Sequence, residues 1–261
     1  MNSLLIYPEE LSSEGRVLLV GERARHATED FHDVVPGVTV PAAIRGGNRG
    51  RATYAVIATD DERVELVFEQ TAPPIARSPV RLIVAISRPQ TMKKVVQASV
   101  FLGVRELFLV RTDRTEKSYL SSRELRSERI SGEVDRALEQ AGDSVPPRIE
   151  VGALLTEVVR AHRGGGLAFF ADTAFHPHER SLGFPQAPAK VSMTAATKKD
   201  SPSDGPEGDT VLLIGPEKGW SERELRLFGD CHLLPMSLGE RVLRVDAAVY
   251  VATALLLMSG V

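Results

Sequence analysis

The chain is nearly free of cysteine. Cys231 stands alone among 261 residues, so no internal disulfide can form, and a reducing compartment is the natural setting for such a sequence. His176-Pro177-His178 has no cysteine to complete a metal-ligand set and reads as loop histidines, so no metal is expected. Long apolar runs are also missing. The most hydrophobic stretch, Ala247 to Val261, spans 15 residues. That is short of the roughly 20 a membrane helix needs, and it reads as a buried C-terminal helix. Tyr7-Pro8-Glu9-Glu10 interrupts the only hydrophobic start, so no secretory leader is read there and a cytoplasmic setting without membrane partners is expected. An excess of basic charge is absent too: 32 Lys and Arg against 35 Asp and Glu give a net charge of -3. This excludes a protein that coats nucleic acid with its whole surface, while a local basic patch stays open. After Val80 to Ser87 there is no glycine-rich turn of dinucleotide-binding spacing, which argues against a dehydrogenase.

What is present divides in two. A hydrophobic content of 43% supports a sizeable core, and the adjacent prolines of Ala72-Pro73-Pro74 halt a strand and stiffen a connection. The domains expected are 1–75 and 76–261. In the first, Gly37 to Arg45, Gly50 to Thr59 and Arg63 to Glu69 are short β-rich segments separated by turns, which spell a small antiparallel barrel. Acids outnumber bases there, yet Arg45-Gly46-Gly47-Asn48-Arg49-Gly50-Arg51 gathers three guanidinium groups on one hairpin, suited to phosphates or unpaired bases. A plain solvated turn could carry the same residues.

In the second domain strands and helices alternate: Val80 to Ser87, Met92 to Leu102, Glu106 to Arg111, Ser121 to Gln140, Ile149 to Val151, Leu154 to His162 and Leu167 to Asp172. This rhythm implies an α/β fold with a mostly parallel sheet and helices on both faces. The stretch 186–209 is rich in Pro, Ser, Ala, Lys and Asp and reads as a disordered insertion. Lys93 and Lys94 open one helix, and Arg123, Arg126 and Arg129 recur every three residues along another; a solvated face explains them, with RNA contact as the alternative for each.

Chemistry concentrates near the end of the chain. Val211 to Ile214 reads as a buried parallel strand, followed by Gly215-Pro216-Glu217-Lys218-Gly219-Trp220-Ser221; Ser221 with Glu224 forms a capping box. This is strand, tight loop and helix, and such a loop offers backbone amides to a small ligand. A second glycine turn follows in Leu238-Gly239-Glu240-Arg241-Val242-Leu243-Arg244-Val245-Asp246-Ala247-Ala248.

Taken together, the two turns resemble the SPOUT methyltransferases, and within them the small-subunit ribosomal RNA uridine N3-methyltransferase family, whose usual forms are GPEGG(F/L)S and LGxRILRxETA. Met92 to Val104 and Glu139-Gln140-Ala141-Gly142 with Pro146-Pro147 are similar to further markers of that family, so the likeness covers most of the chain. It implies a PUA-like barrel followed by a SPOUT domain that is tied in a trefoil knot, and a homodimer whose interface includes Ala248, Val249, Ala252, Leu255 and Leu256. S-adenosylmethionine would be bound by Asp172, Ile214, Gly215, Pro216, Glu217, Gly219, Leu238, Gly239 and Leu243. Arg241 and Arg244 would stabilise charge on uracil, with Glu217 as a candidate base or a holder of an arginine, and Asp246 as either an N-terminal helix acid or a catalyst. Ribosomal RNA or the small subunit would be met by Arg25, His26, Arg45, Arg49, Arg51 and Lys93. Departures from the pattern are Lys218 for glycine, Asp246 for glutamate, Ala247 for threonine, and Asp143 where arginine is usual. They keep open a methyltransferase for transfer RNA or another ribosomal position, and a non-catalytic RNA-binding scaffold.

Overall fold

The computed structural model describes residues 2–31, 34–58, 62–162, 166–172 and 210–259. The stretch 186–209 and His176-Pro177-His178 lie outside them. By contacts the chain forms two compact units, one of 1–76 with 131–146, the other of 77–130 with 147–261. A single cut near Pro73 would assign 131–146 to the second unit; by contacts they cluster with the first.

The first unit holds β1 (Leu4–Ile6), β2 (Arg16–Val20), α1 (Glu22–Glu29), β3 (Thr39–Ile44), β4 (Arg49–Ala58) and β5 (Arg63–Ala72). The strand order is β1-β3-β4-β5-β2, with β1 parallel to β3 and the other pairs antiparallel. The expected small antiparallel barrel is thus a curled mixed sheet, a half-barrel with β1 and β2 at its edges. β1 has three residues, too few to show a period of two. In β2 the alternation is plain: Val17 and Leu19 point inward to Leu4, Ile6, Ala52, Tyr54, Val64 and Leu66. Ala24 and Ala27 of α1 close this core, and the Tyr54 hydroxyl donates to the Ala27 carbonyl. Burial pushes that phenol up to about 12. Gly50 sits at a bulge between β4 and β5; a Cβ there would lie 2.0 Å from the Glu69 carbonyl oxygen, so only glycine fits.

The second unit continues with β6 (Ser78–Ala85), α2 (Pro89–Phe101), β7 (Val104–Arg111), α3 (Lys117–Leu120), α4 (Ser127–Ala141, shared between the units), β8 (Arg148–Leu154), α5 (Leu155–Ala161), β9 (Ala168–Ala171), β10 (Thr210–Ile214), α6 (Glu222–Asp230), β11 (Leu234–Met236) and α7 (Val245–Ser259). Its sheet has the order β11-β9-β10-β6-β7-β8, parallel throughout. Both faces are covered, so Val211 to Ile214 of β10 and the end of β6 are unbroken runs of buried aliphatics. Ile83, Val211 and Leu213 pack with Val158 and Val159 of α5 and Phe228 of α6, while α2 and α7 pack on each other and α7 on β6 and β10.

Two sequence expectations change here. Arg123 lies in a 3-10 turn and Arg126 at its end, before α4 begins, so the arginine row is not one helical face. On α7, Ala248, Val249, Ala252 and Leu256 are buried within the subunit; the exposed stripe is Val251, Leu255 and Met258, spaced four and three residues apart. Among the described residues no helix is long and apolar enough to cross a membrane.

Candidate active site

β9, β10 and β11 are neighbours and run the same way, so the three segments that leave their C-terminal ends gather at one edge of the sheet. These are Ala171-Asp172, the 215–219 turn and the 238–244 loop. The backbone amide of Asp172 donates to the Met236 carbonyl at 3.3 Å, which ties the first of these segments to the third.

The turn after β10 is braced on all sides. Gly219 has a φ of +69° and its amide donates to the Pro216 carbonyl at 2.8 Å. Trp220 is buried and donates from Nε1 to the Ala171 carbonyl at 2.9 Å, with its ring edge-on to Phe228. A Cβ on Gly215 would lie 3.0 Å from the Trp220 indole. A side chain at Gly215 would therefore press on the Trp220 indole, which would have to shift to admit it. The capping box is present: the Ser221 hydroxyl accepts from the Glu224 amide, and Glu224 Oε2 accepts from the Ser221 amide at 2.7 Å.

Glu224 does more than cap. It is 2% exposed, and its second oxygen accepts from the Asp113 amide at 2.8 Å, on the loop after β7. That loop grips the turn at several further points. Asp113 accepts from the Ser221 hydroxyl at 2.7 Å and pairs with Arg223, and hydrogen bonds from Arg223 and then Ser221 hold its carboxyl below the usual carboxylate range. Arg114 donates to the Lys218 carbonyl, and Lys218 Nζ reaches Glu116 at 3.1 Å. The lysine that stands in place of a glycine thus turns its side chain outward to Glu116. Glu217 is exposed at the tip of the same turn.

The 238–244 loop is open by contrast. Gly239 has a φ of +105°, and a Cβ built on it meets nothing within 4 Å. Glu240, Arg241 and Val242 are exposed, Val242 by 81%; Leu238 and Leu243 are half-buried. Arg244 Nε lies 3.2 Å from Asp246 Oδ1 in the first turn of α7, and Lys94 of α2 lies 3.4 Å from the other oxygen. Lys93 is exposed beside it on α2.

The remaining cationic candidates belong to the first unit, and most are engaged. His26 is clamped between Glu139, at 3.0 Å from Nε2, and Asp30, at 2.6 Å from Nδ1. The hydrogen bond to Glu139 leads the causes that raise its pKa. Arg45 pairs with Asp135 at 2.8 Å, and Asp135 also accepts from the Tyr7 hydroxyl at 2.8 Å. Burial and that bond push the Tyr7 phenol up to about 12. Arg49 donates to the Pro73 carbonyl at 3.1 Å, Arg25 lies 3.5 Å from Glu62, and Arg51 is exposed opposite Glu69. The three hairpin arginines thus do not form one free cluster. Asp143 is buried and accepts from the Ser144 amide at 2.6 Å, so it shapes a turn and does not face outward as a repelling charge.

A model of the RNA methyltransferase domain matches residues 75–257. The chain belongs to that family. It is 29% identical over 225 residues to the ribosomal RNA small subunit methyltransferase E of Treponema pallidum (strain Nichols), covering 86% of this chain and 78% of the relative. The ribosomal RNA small subunit methyltransferase E of Neisseria gonorrhoeae, solved bound to S-adenosyl methionine, superposes with a TM-score of 0.73 at 23% identity, over 98% of this chain and 96% of that one. A Legionella pneumophila methyltransferase structure with bound SAM superposes with a TM-score of 0.69, also at 23% identity, over 98% and 97%. The fold is therefore that of these two methyltransferase structures.

Within this methyltransferase domain, sequence reading missed the brace from Asp113, Arg114 and Glu116. They lie about a hundred residues upstream of their partners, and no local spacing announces such a link. A buried glutamate can be recognised by its cap, but the second amide it binds cannot.

Proposed function

We propose that the chain is an S-adenosylmethionine-dependent methyltransferase that acts on N3 of a uridine in small-subunit ribosomal RNA. The observation that carries this reading is the meeting of three strand-end segments at one sheet edge, two of them with positive-φ glycines, in a fold shared with structures that hold the cofactor. The residues present fit such a ligand. The braced turn keeps Ile214, Gly215, Pro216 and Gly219 in fixed places, Gly239 leaves open space beside its backbone, and Asp172, Leu238 and Leu243 complete the set. When bound, S-adenosylmethionine supplies a methyl group already activated on a sulfonium.

The protein's part is then to align the attack and to favour the deprotonated imide. Loss of the N3 proton spreads negative charge onto O2 and O4, where Arg241 and Arg244 of the exposed loop are suited to stabilise it. Glu217, exposed on the braced turn, is the nearest carboxylate of the motif and the first base to test. Arg25, His26, Arg45, Arg49, Arg51 and Lys93 are the proposed RNA contacts, with Arg51 the least engaged of the hairpin arginines. Asp143, buried in its turn, brings no repelling charge to an RNA surface, which supports the ribosomal reading.

The strand order, with β10 between β9 and β6, supports the trefoil knot, and the exposed stripe of Val251, Leu255 and Met258 supports a homodimer through α7. Action in the cytoplasm follows from a ribosomal substrate. The two domains proposed remain the β-rich N-terminal one and the methyltransferase one. Calorimetry with S-adenosylmethionine tests the cofactor, and no heat or thermal shift at millimolar ligand would overturn the enzyme reading in favour of a scaffold. Mass spectrometry of RNA from cells lacking the protein is expected to show one missing methyluridine in small-subunit ribosomal RNA; a change confined to transfer RNA would move the substrate.

A further inference from the structure

An acid at the start of a helix is commonly explained by the helix dipole alone. Asp246 is arranged for more. Its side chain is 15% exposed, and its two oxygens address cations from two different elements: Arg244, from the open loop, at Oδ1 and Lys94, from α2, at Oδ2. The cations reach outward, with side chains 69% and 50% exposed. Oδ1 is shielded from solvent yet accepts no aligned hydrogen bond, so the guanidinium lies at ion-pair distance but out of line. A shielded carboxylate oxygen left in that state is unusual in a native site. It is satisfied when Arg244 is drawn into line. Tyr250, one turn further along α7, is the other titratable group facing this carboxylate; its phenol is raised by burial and then by Asp246.

We propose that Asp246 is a positioning residue that aims two cations, Arg244 and Lys94, at the same substrate, and that Lys94 is a second charge-stabilising group of the reaction. This rests on the uridine N3 reading above. The chemistry calls for two cations, because the imide anion carries its charge on two oxygens, O2 and O4, one on either side of N3. In the step, the N3–H proton goes to solvent, the N3–C bond forms as the C–S bond breaks, and sulfur keeps the electron pair. One cation is consumed and one proton is released, so charge balances. Asp246, bound to both cations, leaves the group with a net single positive charge, matched to one imide anion.

The test is single-turnover methyl transfer by the full chain at saturating S-adenosylmethionine, measured across pH. Lys94→Met is expected to slow transfer about tenfold or more at neutral pH, to leave cofactor affinity unchanged, and to move the pH at which the rate levels off upward, because the imide proton is then harder to remove. Lys94→Arg should recover most of the rate. Asp246→Asn should slow transfer as well, and adding it to an Arg244→Ala, Lys94→Met double variant should slow that variant no further, since the carboxylate acts only through the two cations. A full rate and an unmoved pH profile in Lys94→Met, or a further loss when Asp246→Asn is added to the double variant, would overturn the inference while wild-type activity keeps the site reading intact. No transfer by the wild-type protein would bring down both.

Discussion

The two loops of the candidate active site are held in opposite ways. The turn after β10 is pinned by Trp220 from inside, by Glu224 from the next helix, and by Asp113, Arg114 and Glu116 from outside. The loop after β11 projects Glu240, Arg241 and Val242 into solvent and is anchored at its end through Asp246. In the reading proposed above, the difference separates two tasks, with Leu238, Gly239 and Leu243 of the open loop also facing the small ligand. A small ligand bound the same way in every cycle needs a fixed cradle, whereas a large RNA that arrives and leaves needs groups that can reach it.

The largest effect that would break this division is expected from Arg244→Ala. If the open loop works on the RNA base, the variant should lose on the order of 10²–10³-fold in single-turnover rate while its affinity for S-adenosylmethionine changes little. Loss of cofactor binding with an intact rate at saturation would assign Arg244 to the cradle instead.

Glu224→Gln addresses the other side. The amide keeps one carbonyl oxygen for one backbone N–H but turns an NH2 against the second, so either Ser221 or Asp113 loses its acceptor in a buried place. That should cost about 1–3 kcal/mol of stability in urea unfolding. Because the cradle loosens with it, cofactor affinity should weaken about tenfold, with the rate at saturation nearly kept, as expected of misplaced binding groups. A variant that is less stable yet binds cofactor as tightly as wild type would reduce Glu224 to a helix cap.

How much of this was legible in the sequence follows the same division. β10 shows as an apolar run because it is buried on both faces, the capping box shows because its two members are three residues apart, and the glycine turns show because backbone conformation demands them. What depends on distant partners does not show. β1 is too short to signal itself and pairs in parallel with β3, and Arg45 is taken by Asp135 ninety positions away. Residues 131–146 join the first unit through contacts that no composition shift marks.

A smaller effect asks whether bracing matters outside the cradle. His26 is clamped between Glu139 and Asp30, and its folded pKa is raised chiefly by the Glu139 hydrogen bond. A raised folded pKa means stability that is fully present below the unfolded imidazole value and fades as pH climbs through the folded one. His26→Gln should therefore lower the melting temperature at pH 6, by an amount corresponding to about 1 kcal/mol, and by much less at pH 9. Cofactor affinity should stay the same at both. Equal destabilisation at the two pH values would show that shape rather than charge is what His26 contributes.

The smallest change is expected from Lys218→Gly, which restores the glycine usual at that position. The bond from Arg114 goes to the backbone carbonyl of residue 218 and survives the substitution, and Gly219, which needs its positive φ, is untouched. What is lost is the contact of the Lys218 ammonium with Glu116, an exposed pair whose strength salt screens. Hydrogen bonding from Lys218 is the leading cause that lowers the Glu116 carboxyl, so Glu116 should move back toward its ordinary range while the turn stays in place. Calorimetry should find cofactor affinity within about twofold of wild type, with a small stability penalty from the lost exposed pair and from the added freedom of a glycine in the unfolded chain. A gain of tenfold or more would mean that the lysine crowds the ligand, and that the turn described as a finished cradle is one this chain has partly closed.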